Sequence, residues 1–531
     1  MMDHITTFLQ SKLTLGQSAA AEASSGLVSA SDFQAILPAL VFIATGTLLL
    51  MLDCFSRGLS HTDKTRTDRS SLSTAINFIG LLGTVVAGAF ACASMEQAEP
   101  SFAFQNYIRV DTYSSAVSLI IILGTFFSLL AAIDYLRRFD AEHGEFHCLV
   151  HYAAASMLLF VQANNLIMLF LAVETLSMAA YLLTSYLRDS RRSVEGGLKY
   201  FILGSFSSGF LLFGLTLVFG ATGELELQEI AKSIAGGEAD RSLLLAGMAL
   251  AVVGLCFKVG AFPFHSWLPD AYEAAPSVAT GFLSVTVKSA AIAVLLRFLL
   301  LAAGSAGEAG TASVTEILST VLSLLAIATM LFGNLVALMQ NSVKRMLAYS
   351  AIGHTGYLLV GVVAALGPGG ELAPDAVIFY LLPYTLMSIA VFTLLGYMGR
   401  DGKDRELFED YRGLSTSRPA LALCILVVLV SFAGIPPTAG FWAKLYIFRA
   451  AIAGGHTSLA LTGILASIVS LYFYLRLVVN IYMRPAEEEL DADPDSSLAS
   501  GLVIAAAAAA LVILGLFPDL EFGSLIKALG K

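Results

Sequence analysis

The chain reads as an all-α integral membrane protein of about fourteen transmembrane helices, and three observations predict this. Hydrophobic residues fill 57% of its 531 positions while charged residues fill 13%, a balance that a soluble domain cannot carry. Apolar runs of about 20 residues, each long enough to cross the hydrocarbon core of a bilayer, recur along nearly the whole length. None shows the strand alternation of a barrel, so the backbone groups carried into lipid must be satisfied inside helices. The net charge of −10 sits mostly in loops, and no basic stripe suggests nucleic acid.

Taken in order, the first 30 or so residues are mixed and partly polar and carry no clear signal peptide. The first apolar run, Phe33 to Met51, is too long for a signal core and reads as the first retained span. Spans are predicted near 33–53, 73–94, 112–135, 147–163, 165–186, 197–219, 243–262, 277–301, 315–339, 346–366, 376–398, 420–447, 458–483 and 498–517. The linker at Ala163–Asn165 is very short for a turn between two spans. Loop charge sets the orientation. Arg57, Lys64, Arg66 and Arg69 follow span one, Arg137 and Arg138 span three, and Arg188, Arg191 and Arg192 span five. Lys344 and Arg345 follow span nine and read as topology charges; Arg400, Lys403, Arg405, Arg412 and Arg418 follow span eleven. The opposite loops carry Glu96, Glu99, Glu224, Glu226, Glu371 and Asp375. The positive-inside rule makes the basic side cytoplasmic, and an even span count then places both termini outside. The longest loops, near 220–242, 399–419 and 484–497, are too short for a soluble domain.

The five cysteines, Cys54, Cys92, Cys148, Cys256 and Cys424, are far apart and form no CxxC or Cys/His spacing, so they read as small buried apolar side chains. There is no GxGxxG after a strand, no P-loop, no HExxH and no convincing haem-ligating histidine pair, so the chain itself is expected to bind neither nicotinamide nor a metal cluster.

The chemistry concentrates in a few ionisable residues inside spans. Glu174 lies mid-span in LFLAVETLSMAAYLL, Lys258 near the middle of span seven before Pro263, Lys288 mid-span in FLSVTVKSAAIAVLL, and Lys444 beyond a Gly/Pro break in span twelve. Each costs about 2.5–3.5 kcal/mol or more at the bilayer centre, so chance placement does not account for four of them. They either pair statically as interhelical glue, snorkel to an interface, or move protons. A dry site destabilises the ammonium form of a lysine, which then releases a proton when a neighbouring charge moves; a nearby glutamate holds it charged. Two stretches echo one another: FKVGAFPFHSW (257–267) and SFAGIPPTAGFWAK (431–444) each place Gly and Pro inside an apolar span beside a lysine. They lie five spans apart, an odd number, which relates them by inverted topology, and paired broken helices point to a transport site. Lys199 lies near the cytoplasmic end of its span and either snorkels or joins the relay. His265, just past the first break, either relays protons or caps the broken helix. His354, inside span ten near its cytoplasmic end, either relays protons or packs. Asp270 and Glu273 either satisfy loop backbone or receive protons at the surface.

These same stretches carry a family resemblance. KVGAFPFHSWLPDAYEAAPSVATGFLSVTVKSAA (258–291), SVKRMLAYSAIGHTGYLL (342–359) and SFAGIPPTAGFWAKLYIF (431–448) resemble the antiporter-like subunits of respiratory complex I, the NADH-quinone oxidoreductases. The resemblance spans roughly residues 110–485. Within the family it is strongest to the subunit N branch, the counterpart of mitochondrial subunit 2. The M branch is expected to carry a glutamate where this chain has Lys444, and the L branch a long lateral helix at its C-terminus. The resemblance implies two inverted five-helix repeats, spans 4–8 within 147–301 and spans 9–13 within 315–483, flanked by an extension and helices 1–3 (1–135) and a final loop and helix (484–531). It implies a Glu174–Lys258 ion pair near a cytoplasmic half-channel, Lys288 as central relay and Lys444 near the exit, with Lys199 and His354 at less diagnostic positions. It further implies a proton-translocating subunit of a bacterial inner-membrane complex, with neighbouring antiporter-like and small membrane subunits as partners. NADH, FMN, iron–sulfur clusters and quinone would then belong to those partner subunits. The same motifs suit a subunit of a multisubunit cation/proton antiporter, of a membrane hydrogenase or of a ferredoxin-linked quinone reductase, and the charges also suit an inert spacer of the membrane arm.

Overall fold

The computed structural model describes residues 29–58, 66–95, 100–139, 141–303, 312–399, 404–485 and 498–518. The extension before residue 29, and Lys64, Glu96, Glu99, Arg400 and Lys403, lie outside the described residues. Within them, apolar helices dominate: α1 (Leu37–Gly58), α2 (Arg66–Met95), α3 (Thr112–Arg138), α4 (Gly144–Gln162), α5 (Leu166–Thr184), α6 (Arg191–Thr222) and α7 (Arg241–Val259). Then come α8 (Ser277–Leu301), α9 (Ala312–Leu338), α10 (Val343–Ala365) and α11 (Ala373–Tyr397). Next is α12, split into Pro419–Ala433 and Ala439–Ala453, followed by α13 (Thr457–Met483) and α14 (Leu498–Leu516). Thirteen of these are long and apolar enough to cross a membrane, and the broken α12 supplies the fourteenth passage through the shorter apolar helix Pro419–Ala433.

Local chemistry starts and stops these helices where the sequence suggests. Asp111 caps α3 by accepting from the Ser114 amide at 2.8 Å, and the Asp240 carboxylate accepts from the amides of Ser242 and Leu243 at the start of α7. The short connection between α4 and α5 holds because it is stitched on both sides: Asn164 donates its amide to Tyr107 O at 2.9 Å, and its own carbonyl accepts from Leu227 at 2.9 Å. Tyr107 sits in a small β-hairpin, β1 (Ser101–Ala103) paired antiparallel with β2 (Ile108–Val110), which the sequence reading does not contain. A short helix, Leu227–Ala235, lies in the loop between α6 and α7.

The axis of the bundle is formed by α8, α10 and α11, whose best apolar windows are 89%, 94% and 94% buried against 28–39% for α1, α2, α6, α9, α13 and α14. Lipid-facing residues such as Phe206, Leu324 and Ile468 lie on that second group. Both predicted breaks are present and locally alike. Gly260 ends α7 at φ +72°, and Gly434 ends the first half of α12 at φ +77°, a left-handed conformation glycine adopts without penalty. Each is followed by a cis X-Pro bond, Phe262–Pro263 and Pro436–Pro437. The chain then re-enters a helix, Trp267–Ala274 after the first break and Ala439–Ala453 after the second.

Several sequence-based expectations change. Lys258 is the penultimate residue of α7, at the break itself and not at mid-span. His354 lies in the middle of α10, because that helix starts at Val343, earlier than the apolar run. Lys344 is not an exposed topology charge: it is 2% exposed and ion-paired within the bundle. Among the cysteines, Cys148 and Cys256 are buried as expected, Cys424 is half-buried, and Cys54 and Cys92 are exposed on α1 and α2. Span eight is interrupted by a π-helical turn, Leu283–Val287, immediately before Lys288. Such turns add a residue to a helix and re-aim the side chains that follow.

Candidate proton-transfer site

Glu174 projects from α5 with its Oε1 buried and without a hydrogen-bond partner. Ser177, one turn further along the same helix, accepts from Lys258 Nζ at 2.6 Å and donates to Val173 O. The Lys258 ammonium also lies 5.7 Å from the centre of the Tyr181 ring. Glu174 and Lys258 are therefore neighbours without the direct ion pair that the resemblance implies: the Lys258 ammonium is held by Ser177, whose own proton goes to Val173 O. Lys258 is 4% exposed, so it depends on that serine and on the ring face for solvation.

At the centre of the bundle, Lys288 Nζ donates to the backbone carbonyl of Ala351 at 2.6 Å and to Tyr384 Oη at 3.1 Å. Among the described residues no carboxylate pairs with it. Thr355 connects this point to the first break: its hydroxyl lies 2.7 Å from Val259 O, a carbonyl freed where α7 stops, and 3.1 Å from Ala351 O. One helical turn from Ala351, His354 continues the polar line. Its Nδ1 is 2.6 Å from Tyr380 Oη and its Nε2 is 3.1 Å from Tyr474 Oη. The Tyr384 ring that touches Lys288 lies 5.0 Å, centre to centre, from the His354 ring. Tyr474 bonds Ser350 in turn.

Lys444 closes the line. Although it lies beyond the second break, its ammonium reaches back to it, donating to Phe432 O at 2.9 Å, Ala433 O at 3.3 Å and Ser467 Oγ at 2.8 Å. Tyr357 covers it, ring centre 5.4 Å away, and the Tyr357 hydroxyl accepts from Asn334 at 3.1 Å. The broken helix thus does what free backbone carbonyls allow: it solvates a cation inside an apolar bundle.

The structure therefore brings Lys288, His354 and Lys444 into one buried polar line, linked through Tyr384, Tyr380, Tyr474 and Tyr357, which meets the first break at the Val259 carbonyl through Thr355, while the Lys258 ammonium points instead to Ser177. It does not bring in Lys199, which is half exposed and pairs with Glu195 at 3.0 Å and Asp270 at 3.4 Å. Asp270 and Glu273 are surface partners too: Arg345 reaches Glu273 at 2.6 Å and Asp270 at 3.4 Å, and Arg192 reaches Glu273 at 2.6 Å. His265 lies between the rings of Phe262 and Phe332, 5.3 and 4.3 Å away, with its Nδ1 buried and unpartnered. The tyrosines and Thr355 are what sequence reading missed. Aromatic and hydroxyl residues are ordinary in membrane helices, and only contact with a lysine or histidine marks them. Ser177 was legible, since it stands three residues from Glu174 and so shares its face.

Comparisons with known proteins identify the family and the fold. Residues 163–470 match the family model described as NADH:quinone oxidoreductase/Mrp antiporter, transmembrane. The chain is 39% identical to NADH-quinone oxidoreductase subunit N 1 of Sorangium cellulosum over 502 residues, covering 93% of this chain and 98% of that one. A chain of respiratory complex I from Thermus thermophilus with bound aureothin superposes with a TM-score of 0.74 at 31% identity, covering 92% of this chain and 99% of that one. A chain of the Mrp complex from Dietzia sp. has the same fold, with a TM-score of 0.77 at 21% identity over 94% of this chain and 97% of that one.

Proposed function

The chain belongs to the NADH-quinone oxidoreductase subunit N family of antiporter-like membrane subunits, and from that premise we propose that it translocates protons through Lys258, Lys288, His354 and Lys444. The observation that carries this reading is the buried line from the first break to the second. Lys288 and Lys444 are 2% and 5% exposed, and among the described residues no carboxylate pairs with either. Each ammonium is held by neutral carbonyls and hydroxyls, and in this reading a hydroxyl or imidazole along the line receives its proton.

In this reading the Glu174 charge biases its neighbour Lys258 electrostatically. When the Glu174 side chain turns toward the ammonium, Lys258 stays charged; when it turns away, the proton moves along Thr355 and Lys288 toward His354. Lys444 then releases it from the second break. Driving a charge across 100 mV takes about 2.3 kcal/mol, which quinone reduction in neighbouring subunits supplies. Nicotinamide, flavin, iron–sulfur clusters and quinone belong to those subunits, and the membrane arm of the complex provides the partners. The basic loops face the bacterial cytoplasm and the termini face outward.

The test is Lys288→Met in the assembled complex in native membranes, with quinone reduction and proton uptake measured together. Pumping is expected to fall on the order of 10²-fold while the complex still assembles. Full pumping by an intact Lys288→Met complex ends the relay role and leaves an inert spacer.

A further inference from the structure

At the end of the bundle that carries the basic loops there is a cavity of about 760 Å³ whose walls include Arg188, Arg192, Glu273 and Glu406. At its inner wall lie Lys344 and Asp404, the latter in the segment that returns from α11 to α12. The Asp404 side chain is 7% exposed, and one oxygen takes all its bonds: Oδ2 accepts from Lys344 Nζ at 3.0 Å, from Tyr135 Oη at 3.4 Å and from the Ser277 hydroxyl. The other oxygen, Oδ1, is buried and has no partner. An ionised carboxylate strongly prefers to fill both oxygens, so an empty buried one is an open acceptor position.

What lies behind Asp404 is the relay. Ser277 opens α8, and Thr280, Ser284 and Lys288 follow it at spacings of three, four and four residues, all buried. Lys344 opens α10, and the carbonyl that holds Lys288 belongs to Ala351, seven residues deeper, or roughly 10 Å along the helix. A void of about 10 Å³ between α10, α11 and α12, lined in part by Ala351 and Tyr384, the two residues that hold Lys288, has room for about one water. The hydroxyls of α8 and this void make a polar seam that ends on Lys288 without passing through Lys258.

We propose that Asp404 is the proton-uptake site of this chain, filled from the cytoplasmic cavity and delivering to Lys288 along the buried hydroxyls of α8 and the void beside Ala351 and Tyr384. This rests on the proton-translocation reading above. A hydronium ion in the cavity gives its proton to Oδ1: its O–H bond breaks and leaves water, a carboxyl O–H bond forms, and the neutralised carboxyl loosens its pair with the Lys344 ammonium. The O–H bond then breaks as the proton passes inward to the hydroxyl and water seam, and Lys344 pairs again with the carboxylate. No other species is consumed. The charged groups around Asp404 are Lys344 from α10, Glu406 from its own segment, 3.7 Å from Lys344 Nζ, and Arg192 from α6, which holds Glu406 at 3.0 Å. Tyr135 from α3 donates to it, and burial pushes the Tyr411 phenol well above its ordinary range, so that group stays neutral.

The experiment uses the assembled complex in inside-out membrane vesicles, with proton uptake and quinone reduction read together. Asp404→Asn keeps the shape and an accepting oxygen for Ser277 but takes no proton; pumping is expected to fall at least about tenfold, and Asp404→Glu to restore most of it. A structural role for the ion pair predicts loss of assembly in both variants, or no recovery with Glu, and either result overturns the proposal. The second arm avoids folding entirely. Asp189→Cys on the cavity wall is modified after assembly with a bulky maleimide, with the unsubstituted complex treated alongside. The modified variant is expected to lose pumping to the Asp404→Asn level; unchanged pumping after modification also overturns the proposal. If Asp404→Asn pumps normally while Lys288→Met does not, uptake runs elsewhere and the relay stands. If both pump normally, the relay itself fails.

Discussion

The two broken helices solve the same problem in different ways. At the first, the lysine precedes the break: Lys258 is the penultimate residue of α7, and its ammonium turns away from the freed carbonyls to a single hydroxyl, Ser177, beside an unpartnered glutamate oxygen. At the second, the lysine follows the break and reaches back into it, where two backbone carbonyls and Ser467 hold it from three sides. The carbonyl freed at the first break goes instead to Thr355, which hands the connection on to Lys288. The first break thus holds its lysine loosely and next to a charge that can move, while the second holds its lysine firmly among neutral groups. One arrangement suits a switched donor and the other a fixed terminal station. The carbonyl freed at the first break thus reaches Lys288 of another helix through Thr355, while those at the second hold Lys444 directly.

The largest way to break this comparison is Lys444→Met. It empties the second break, and proton translocation by the assembled complex is expected to fall on the order of 10²-fold. A wild-type rate would mean that the second break is a structural kink. Next is Gly440→Ala. A Cβ there would stand 1.9 Å from Ser431 O, a backbone atom with nowhere to go. Overpacking of this kind costs about 1–3 kcal/mol, and the melting temperature of the purified complex should drop accordingly. At Gly260 in the first break, the added carbon meets the end of a flexible leucine, Leu268 Cδ1 at 2.3 Å. There the backbone conformation and not the contact is the obstacle.

Two serines compare the breaks directly. Ser177→Ala removes the hydrogen-bond acceptor of Lys258 and leaves a buried ammonium beside Glu174, at a cost of about 1–3 kcal/mol. Ser467→Ala removes one acceptor of three from Lys444, and a cost of about 0.5–1.5 kcal/mol follows. Denaturation of both variants in the same detergent ranks them; equal losses would show that the first lysine is held as well as the second. The smallest effect is Lys199→Ala. Its partners Glu195 and Asp270 are a solvated pair on a half-exposed lysine, so neither assembly nor pumping should change measurably. A clear loss of pumping would place Lys199 on the route after all and extend the first repeat's path to the surface.

The passages across the membrane, the two breaks and the four charges inside spans were all legible from residue order. Length of apolar run, Gly–Pro interruption and the cost of a charge in lipid are local properties that a sequence states directly. His354 was legible as a residue but not as a link, because Tyr380 and Tyr474 stand 26 and 120 residues away. Lys344 was misread for the same reason: a lysine after a span looks like a topology charge until Asp404, 60 residues on, folds over it. In place of the expected Glu174–Lys258 ion pair, the Lys258 ammonium of α7 meets α5 at Ser177.

The sequence by itself determined that this chain lives in a bilayer, how often it crosses, and which ionisable side chains are carried into the interior, since burial of backbone and charge in lipid is decided segment by segment. Only the tertiary structure decided which of those charges have partners, which tyrosines join them, and that Asp404 folds over Lys344. Hydrogen bonds act over about 3 Å, and only the packing of distant helices sets which atoms come that close.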